Sequence, residues 1–328
     1  MLRIFIFSLI LLSAGCSKRP KAELQEIGSF DTTGWAHDVL LEKDKLYVAD
    51  RQGGFLTFDH KMGWKNPSVS TPVADVISLD PHSGNPILAS RFEGLVLVSG
   101  DSIIARYSNG DIANAVVTRG DYAFAAYGLH GLVIMRVSKD NLGFLAELKS
   151  PGWSHDVKLA GDWALLADWD YGLRVVDIRK PGQPAEMGVL PTPATAIAIS
   201  VADSGVGRRI ALAEGHAGVA LVSIDDAGRP HLLCRNTLGL NAKDSPHPEA
   251  GGWAHDVAWC GPYVFVANWK RGLSIMDAQD ASHPRVILEY PCSGTALGVA
   301  AVHELDGAYL IYLADGEAGL RILRFSPN

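Results

Sequence analysis

The chain repeats one short unit, and this repetition limits its fold more strongly than any other feature of the sequence. The clearest copy is GWSHDVKLAGDWALLADWDYGLRVVD at Gly152–Asp177. The unit returns as GWAHDVAWCGPYVFVANWKRGLSIMD at Gly252–Asp277 and as GWAHDVLLEKDKLYVADRQGGFLTFD at Gly34–Asp59. Each copy contains three short apolar runs with nearly period-two alternation, separated by turn residues. This pattern is typical of three consecutive antiparallel strands.

Seven copies of a shorter fragment extend the repeat over most of the chain. The fragment consists of a small residue, a polar residue, three variable residues, glycine and an apolar residue, as in ADWDYGL at Ala167–Leu173. Its glycines lie 37 to 54 residues apart, at Gly54, Gly94, Gly131, Gly172, Gly218, Gly272 and Gly319. Seven consecutive strand-rich units of about forty residues predict an all-β protein, a seven-bladed β-propeller.

The two ends of the repeat region predict how the ring of blades closes. The last repeat, Gly294–Phe325, contains three apolar runs, whereas other repeats have a fourth, such as Ala185–Leu190. The segment Glu23–Phe30 (ELQEIGSF) precedes the first full repeat and has strand character. We therefore expect Glu23–Phe30 to supply the outer strand of the seventh blade and cover its edge. The propeller domain then spans residues 23–328.

The first residues have the pattern of a targeting segment. Arg3 precedes the apolar run Ile4–Leu12, which is too short to span a bilayer. The run is followed by LSAGC, ending at Cys16, which resembles the lipobox of bacterial lipoproteins. The sequence thus predicts a signal peptide over residues 1–15 and a lipid-anchored linker over residues 16–22. An ordinary secretory signal followed by an unrelated cysteine is the alternative.

The predicted anchor also predicts where the protein lies and how it is oriented. Ser17 follows the cysteine, and the absence of aspartate there favours the outer membrane of a bacterial cell envelope. We call the end of the propeller that carries the ADxxxGL turns the top. Glu23–Phe30 must then start at the bottom, and only Ser17–Lys21 separate it from the lipid, at about 3.6 Å per extended residue. We expect the bottom to face the membrane.

Composition and cysteine spacing exclude several classes of function. The formal net charge is −7 and no basic run is present, so nucleic acid is not an expected partner. Cys234, Cys260 and Cys292 are too widely spaced for a zinc pattern. Their odd number allows at most one internal disulfide, and buried free thiols are the alternative that we favour. The sequence contains no GxSxG, no P-loop and no CxxCH haem site.

The repeats resemble the LVIVD-repeat family of bacterial β-propellers. The residues that carry the resemblance are GLRVVDIRKPGQP at Gly172–Pro184 and DVKLAGDWALLAD at Asp156–Asp168. The first, fourth and sixth units match most closely. The resemblance implies a secreted or surface-anchored propeller and does not imply any one activity.

A Gly-Trp-x-His-Asp-Val motif occurs in the first, fourth and sixth units and suggests a metal site. Its histidines, His37, His155 and His255, stand where the other units have Ala74, Asn114, Thr195 and Leu297. Three imidazoles around the propeller axis would suit a divalent transition metal with an open coordination position. This hypothesis predicts a metal-assisted hydrolase or lyase. The alternative is that the histidines are struts of the framework.

The aspartates of the motif, Asp38, Asp156 and Asp256, could orient these imidazoles as hydrogen-bond partners. Adjacent residues of a strand point to opposite faces. We therefore expect that the histidine and the aspartate of one motif do not both face the axis.

Aromatic and charged residues at the top predict a binding face. Trp169 and Trp269 stand in the turns of the fourth and sixth units. The further candidate binding residues are Trp35, Trp153, Trp253, Asp38, Asp156, Asp256, Asp168, Arg51 and Arg271. Such residues suit a carbohydrate, a peptide or a protein partner. The alternative is that the tryptophans pack between blades. Our main hypothesis is a binding platform, and whether the protein is also an enzyme stays open.

Overall fold

The computed structural model describes residues 22–59, 67–70, 73–202, 208–239 and 252–327. They form seven four-stranded antiparallel sheets arranged as the blades of a propeller, which confirms the predicted fold class. In the first six blades the strands follow chain order from the axis outwards. The predicted signal peptide, Cys16 and all but the last residue of the linker lie outside the described residues.

The strands of the first four blades have the following bounds. Blade 1 contains β2 (Asp38–Glu42), β3 (Lys45–Asp50), β4 (Gly54–Asp59) and β5 (Ser68–Ser70). Blade 2 contains β6 (Val76–Asp80), β7 (Ile87–Ser90), β8 (Gly94–Ser99) and β9 (Ser102–Tyr107). Blade 3 contains β10 (Ala115–Arg119), β11 (Tyr122–Ala126), β12 (Leu132–Ser138) and β13 (Asn141–Leu148). Blade 4 contains β14 (Asp156–Ala160), β15 (Trp163–Ala167), β16 (Leu173–Asp177) and β17 (Ala185–Leu190).

The remaining blades continue the same plan. Blade 5 contains β18 (Ala198–Val201), β19 (Arg208–Ala213), β20 (Val219–Ile224) and β21 (Pro230–Asn236). Blade 6 contains β22 (Asp256–Cys260), β23 (Tyr263–Ala267), β24 (Leu273–Asp277) and β25 (Arg285–Tyr290). Blade 7 contains β26 (Gly298–His303), β27 (Tyr309–Ala314), β28 (Leu320–Ser326) and, from the start of the chain, β1 (Glu23–Phe30).

The first strand closes the ring as the sequence predicts. β1 pairs antiparallel with β28, from Glu23 opposite Ser326 to Phe30 opposite Leu320. Side chains reinforce this outer edge, because Glu26 accepts a hydrogen bond from the hydroxyl of Tyr290 in blade 6. The N-terminal strand is thus held both by its own blade and by the neighbouring blade.

The hydrophobic core is divided into seven clusters, each formed between two adjacent blades. One cluster joins Leu310 and Tyr312 of blade 7 to Leu46 and Val48 of blade 1. Both faces of each sheet are covered, so the inner strands are nearly continuous apolar runs. β15, for example, is buried over its whole length. Because the clusters continue round the ring, removing one strand exposes core on two blades.

The blades are joined at the top by single bridges between a turn of one blade and the segment that leads into the next. Trp169 of blade 4 is bridged to Ala196 of blade 5, and Trp269 of blade 6 to Ala296 of blade 7. In blades 3, 5 and 7 the residue in this position is Gly128, Gly215 or Gly316. All of these positions have positive φ. The residue at the bridge position therefore determines which side chain each blade places at the top of the channel.

The cysteines and the membrane-spanning potential of the described chain complete the description of the fold. None of the three cysteines in the described part of the chain forms a disulfide. Cys260 is buried as expected, whereas Cys234 and Cys292 are half-buried. Within the described residues no helix is long and apolar enough to cross a membrane.

Candidate functional site at the mouth of the channel

A narrow cavity lies on the propeller axis where the inner strands begin. Its volume is about 50 Å³, and all seven blades contribute to its lining. By this measure a cavity needs about 10–15 Å³ to hold one water molecule, so the space admits a few water-sized groups and is too small for a sugar ring. We call this cavity the throat.

The three histidines of the repeated motif meet at the throat. The ring centroids of His37 and His255 are 5.6 Å apart, and those of His155 and His255 are 6.4 Å apart. The rings meet edge to face, at interplanar angles of 82° and 86°. The repeat therefore places three imidazoles together although about a hundred residues separate them along the chain.

Each histidine also joins its blade to the next one. The Nδ1 atom of His37 lies 3.0 Å from the carbonyl oxygen of Ile77 in blade 2. The corresponding distances are 3.1 Å from His155 to Ile197 and 2.7 Å from His255 to Leu297. A carbonyl oxygen only accepts hydrogen bonds, so each Nδ1 carries the proton. This is the bonding that the framework interpretation predicts.

The histidines are neutral in the folded protein. Burial, together with repulsion from the other two imidazoles, lowers the pKa of His37 well below its usual value. Burial lowers the pKa of His155, and burial with the nearby His155 lowers that of His255 to about 4. A neutral imidazole that donates from Nδ1 is an acceptor at Nε2. Within the described residues, none of the three Nε2 atoms has a hydrogen-bond partner.

The aspartates of the motif line the throat together with the histidines, so the expectation that only one of each pair faces the axis is wrong. The reason is local. Each inner strand begins at the aspartate, and the histidine precedes it in the segment that crosses from the previous blade, where strand alternation does not apply. Asp156 accepts hydrogen bonds from the main-chain amides of Val157 at 2.7 Å and Ile199 at 2.8 Å. The aspartates thus tie neighbouring inner strands together.

Lys158 completes this layer, and the sequence analysis missed it. Its Nζ atom lies 3.0 Å from Oδ1 of Asp156. Burial opposes the charge of Lys158, but Asp156, Asp38 and Asp256 outweigh burial and raise its pKa. A signal was present, because the equivalent positions of the two other motif copies hold Leu40 and Ala258.

The three carboxylates share one ammonium group, and this imbalance affects their protonation. Burial, with repulsion from Asp38, raises the pKa of Asp256 to about 8. Burial also raises the pKa of Asp38, although Lys158 opposes the shift. At neutral pH Asp256 is therefore largely protonated, which relieves part of the repulsion between the carboxylates.

Two tryptophans cover the histidines from above. The ring centroid of Trp169 lies 5.6 Å from that of His155, and the centroid of Trp269 lies 5.7 Å from that of His255. Both indoles are half-buried. The sequence predicts these tryptophans at the top, and in the structure they lie beside the histidines of the throat.

The backbone around the throat is strained. Outside glycine, six described residues have a left-handed backbone, and four of these surround the throat. They are Arg51 (φ 22°), Asp75 (φ 52°), Trp169 (φ 38°) and Trp269 (φ 49°). A left-handed conformation costs a residue with a Cβ atom about 1–2 kcal/mol, and blades 3, 5 and 7 avoid this cost with glycine. Residues held in this way cluster at ligand-binding sites.

Arginines form the opposite side of the ring of residues around the throat. Nε of Arg51 lies 2.7 Å from Oδ1 of Asp75, and Nε of Arg91 lies 3.6 Å from Oδ2 of the same carboxylate. The side chain of Asp75 is 8% exposed, that of Arg51 23% and that of Arg91 42%. Two guanidinium groups thus share one buried carboxylate. We call Arg51, Asp75, Arg91, Trp169 and Trp269 together the mouth.

Other candidate residues lie in framework positions. A Cβ atom on Gly316 of blade 7 would lie 3.0 Å from Nε1 of Trp35, and a Cβ atom on Gly215 of blade 5 would lie 2.9 Å from the ring of Trp253. Trp35 and Trp253 therefore pack against the preceding blade. Trp153 is half-buried.

The two remaining candidates also have partners within the protein. Asp168 is fully buried, accepts a hydrogen bond from Ser154 at 3.1 Å and lies 3.6 Å from the guanidinium group of Arg174. Arg271 lies 2.7 Å from Glu289 on the outer strand of its own blade. Neither side chain belongs to the mouth.

The throat does not have the geometry of a preformed metal site. Over the described ranges of the chain, no group of three or more histidine, cysteine, aspartate or glutamate side chains is arranged to hold a metal ion. The imidazoles are close, and His255 meets both His37 and His155 edge to face.

Comparison with known proteins supports the fold. Three segments match the LVIVD repeat, over residues 110–140, 151–192 and 251–291. These segments lie in blades 3, 4 and 6. The sequence predicts the closest matches in blades 1, 4 and 6, so blade 3 takes the place of blade 1. The molecule is a seven-bladed β-propeller that carries LVIVD repeats. No curated protein matches the chain.

Two solved structures have the same fold at low sequence identity. A streptogramin B lyase structure is 14% identical, with a TM-score of 0.66, over 93% of this chain and 98% of that chain. The computationally designed Ika8 protein is 8% identical, with a TM-score of 0.60, over 90% of this chain and 97% of that chain. At such identities the likeness concerns the fold alone.

Proposed function

We propose that this protein is a lipid-anchored propeller of the bacterial cell envelope that binds a ligand at the mouth of its channel. The observation that carries the proposal is the pair of strained tryptophans, Trp169 and Trp269, at positions where three sibling blades have glycine. The fold does not require an indole there. A half-buried indole that is kept at a cost of about 1–2 kcal/mol per site, and that packs beside a histidine of the throat, is suited to form a wall of a binding site.

The placement of the mouth agrees with the predicted anchor. β1 starts at the bottom rim, one residue after the predicted linker ends. A lipid on Cys16 would hold the bottom near the membrane and leave the mouth facing away from it. Labelling of cells with a palmitate analogue tests this part of the proposal. We expect label on the wild-type protein and none on Cys16→Ser, and label on both proteins would contradict lipidation at Cys16.

The binding function is tested by returning the two tryptophans to the residue that the sibling blades use. Trp169→Gly/Trp269→Gly removes both indoles and relieves the backbone strain, so the fold should be retained while ligand binding is lost. We would probe glycan and peptide arrays with the wild-type protein, the double variant and Arg271→Gln as a control outside the mouth. Equal array binding by the folded double variant would contradict the proposal.

A second candidate function is metal-assisted hydrolase or lyase chemistry at the three histidines. It is favoured by the neutral state of the imidazoles and by their Nδ1 bonds, which leave each Nε2 lone pair available to a metal. The rings would have to rotate from their edge-to-face arrangement to converge on an ion. Metal analysis after reconstitution with Zn²⁺ decides between the two functions. Bound metal that His155→Gln loses supports the second function, and a metal-free wild-type protein removes it.

A further inference from the structure

We propose that the ligand of the mouth is an acidic sugar, whose carboxylate binds Arg51 and Arg91, whose ring packs on an indole, and whose hydroxyl enters the throat. This inference rests on the proposed function and adds the class of ligand. Each of the three parts follows from a different feature of the mouth.

The first feature is the excess of positive charge on one side. Asp75 is the one carboxylate between two guanidinium groups. It is nearly buried, so it fixes Arg51 without being available to a ligand itself. Arg91 is further from Asp75, at 3.6 Å, and more exposed, at 42%. Its planar group of N–H donors is suited to a carboxylate, which it can bind through two parallel hydrogen bonds.

Other acidic side chains near the top are already engaged by neighbours. Glu93 accepts a hydrogen bond from Arg106 at 2.8 Å. Glu317 lies 3.2 Å from the ammonium group of Lys270. Because these two glutamates are already paired, they do not compensate the charge of Arg51 and Arg91.

The second feature is the pair of indoles across the channel from the arginines. Arg51 and Arg91 belong to the adjacent blades 1 and 2, whereas Trp169 and Trp269 belong to blades 4 and 6. The half-buried indoles present an apolar face with a polar edge, a combination that suits a ligand that is apolar on one side and polar on the other. The C–H face of a pyranose ring has this character.

The third feature is the chemistry of the throat. The Nε2 atoms of its three histidines are free to accept a hydrogen bond, and the three aspartates line the same cavity. A carboxylate would bring further lone pairs and negative charge into this space and is therefore excluded from it. A hydroxyl can donate its proton to an imidazole, and a volume of about 50 Å³ admits it while the ring stays outside.

Isothermal titration calorimetry with four probes tests this assignment. The probes are D-glucuronate and D-galacturonate, with D-glucose and D-galactose as matched neutral sugars. We expect the wild-type protein to bind at least one acid at least about tenfold more tightly than its neutral partner, because charge-assisted hydrogen bonds are about twice as strong as neutral ones. Arg91→Gln should bring this ratio close to one, and Arg271→Gln should leave it unchanged.

Two results would overturn the assignment. Equal binding of the acid and the neutral sugar by the wild-type protein would show that the arginines do not select the ligand. Absence of binding by all four sugars would remove the sugar class. In both cases the array experiment with the tryptophan variants still decides separately whether the mouth is a binding site.

Discussion

Replacement of Lys158 by methionine should destabilise the protein by an amount that depends on pH. Lys158 is the one cation among Asp38, Asp156 and Asp256, and sibling blades hold Leu40 and Ala258 at its position, so an apolar side chain fits the strand. Without the ammonium group, a second carboxylate must take up a proton to relieve the repulsion. The sterics of the site are unchanged, and the charge is what the variant removes.

The free energy needed to protonate this second carboxylate sets the upper limit of the destabilisation. Raising the pKa of an aspartate from 3.8 to the ambient pH costs about 1.4 kcal/mol per unit. The limit is therefore about 4 kcal/mol at pH 7 and about 1.6 kcal/mol at pH 5. The side chain of Lys158 is 43% exposed, so solvent screening reduces these limits by about half. We expect a loss of about 2 kcal/mol at pH 7 and less than about 1 kcal/mol at pH 5.

Urea unfolding of wild type and variant from pH 5 to pH 8 measures the difference. The sign follows from linkage. Above pH 4 the folded variant holds one more carboxyl proton than the folded wild type, whereas the unfolded chains hold equal numbers on these aspartates, so the stability of the variant falls relative to wild type as the pH rises. Lys158→Met/Asp38→Asn removes one of the carboxylates and should recover most of the loss. A loss that is independent of pH, or that the second substitution does not reduce, would refute the charge argument.

Two further predictions concern protonation of the layer and closure of the ring. Asp256→Asn should be more stable than wild type at pH 7, by up to about 1.4 kcal/mol for each pH unit above pH 4. The reason is that the pKa of Asp256 is raised in the folded protein, so the wild type loses stability as the pH rises towards 8. Urea unfolding at pH 5 and pH 7 measures the difference, and an equal difference at both pH values would contradict the prediction. Deletion of Glu23–Phe30 should expose β28 and cause aggregation or a lower thermal midpoint, and a monomeric protein with an unchanged midpoint would show that β1 is not needed for closure.

The sequence predicted the blades because strand patterning is a local property. Period-two alternation and turn residues are contained within one repeat, and counting the apolar runs was enough to assign Glu23–Phe30 to the seventh blade. The prediction that His37, His155 and His255 lie close together also follows from equivalent positions in a ring. These inferences need no knowledge of side-chain directions.

Contacts between blades could not be predicted in the same way. The Asp75 carboxylate of blade 2 meets Arg51 of blade 1, and both residues have a left-handed backbone. Backbone dihedrals of this kind are not encoded in a hydrophobic pattern. The failed rule for the histidine and aspartate pairs has a similar cause. It assumed that the strand begins before the histidine, whereas β14 begins at Asp156.

The repeat makes each blade a control for the others, and this comparison separates framework from function. At the bridge position of the top turn, Gly128, Gly215 and Gly316 show what the fold alone needs, since they adopt positive φ without strain. Trp169 and Trp269 make the same bridges at a cost. The histidines, in contrast, bond the next blade through Nδ1 in each of the three blades that have them, so this contact is a framework contact in every case, whereas Nε2 remains available. The residues that depart from their siblings at an energetic cost are therefore the ones on which the proposed binding site at the mouth depends most.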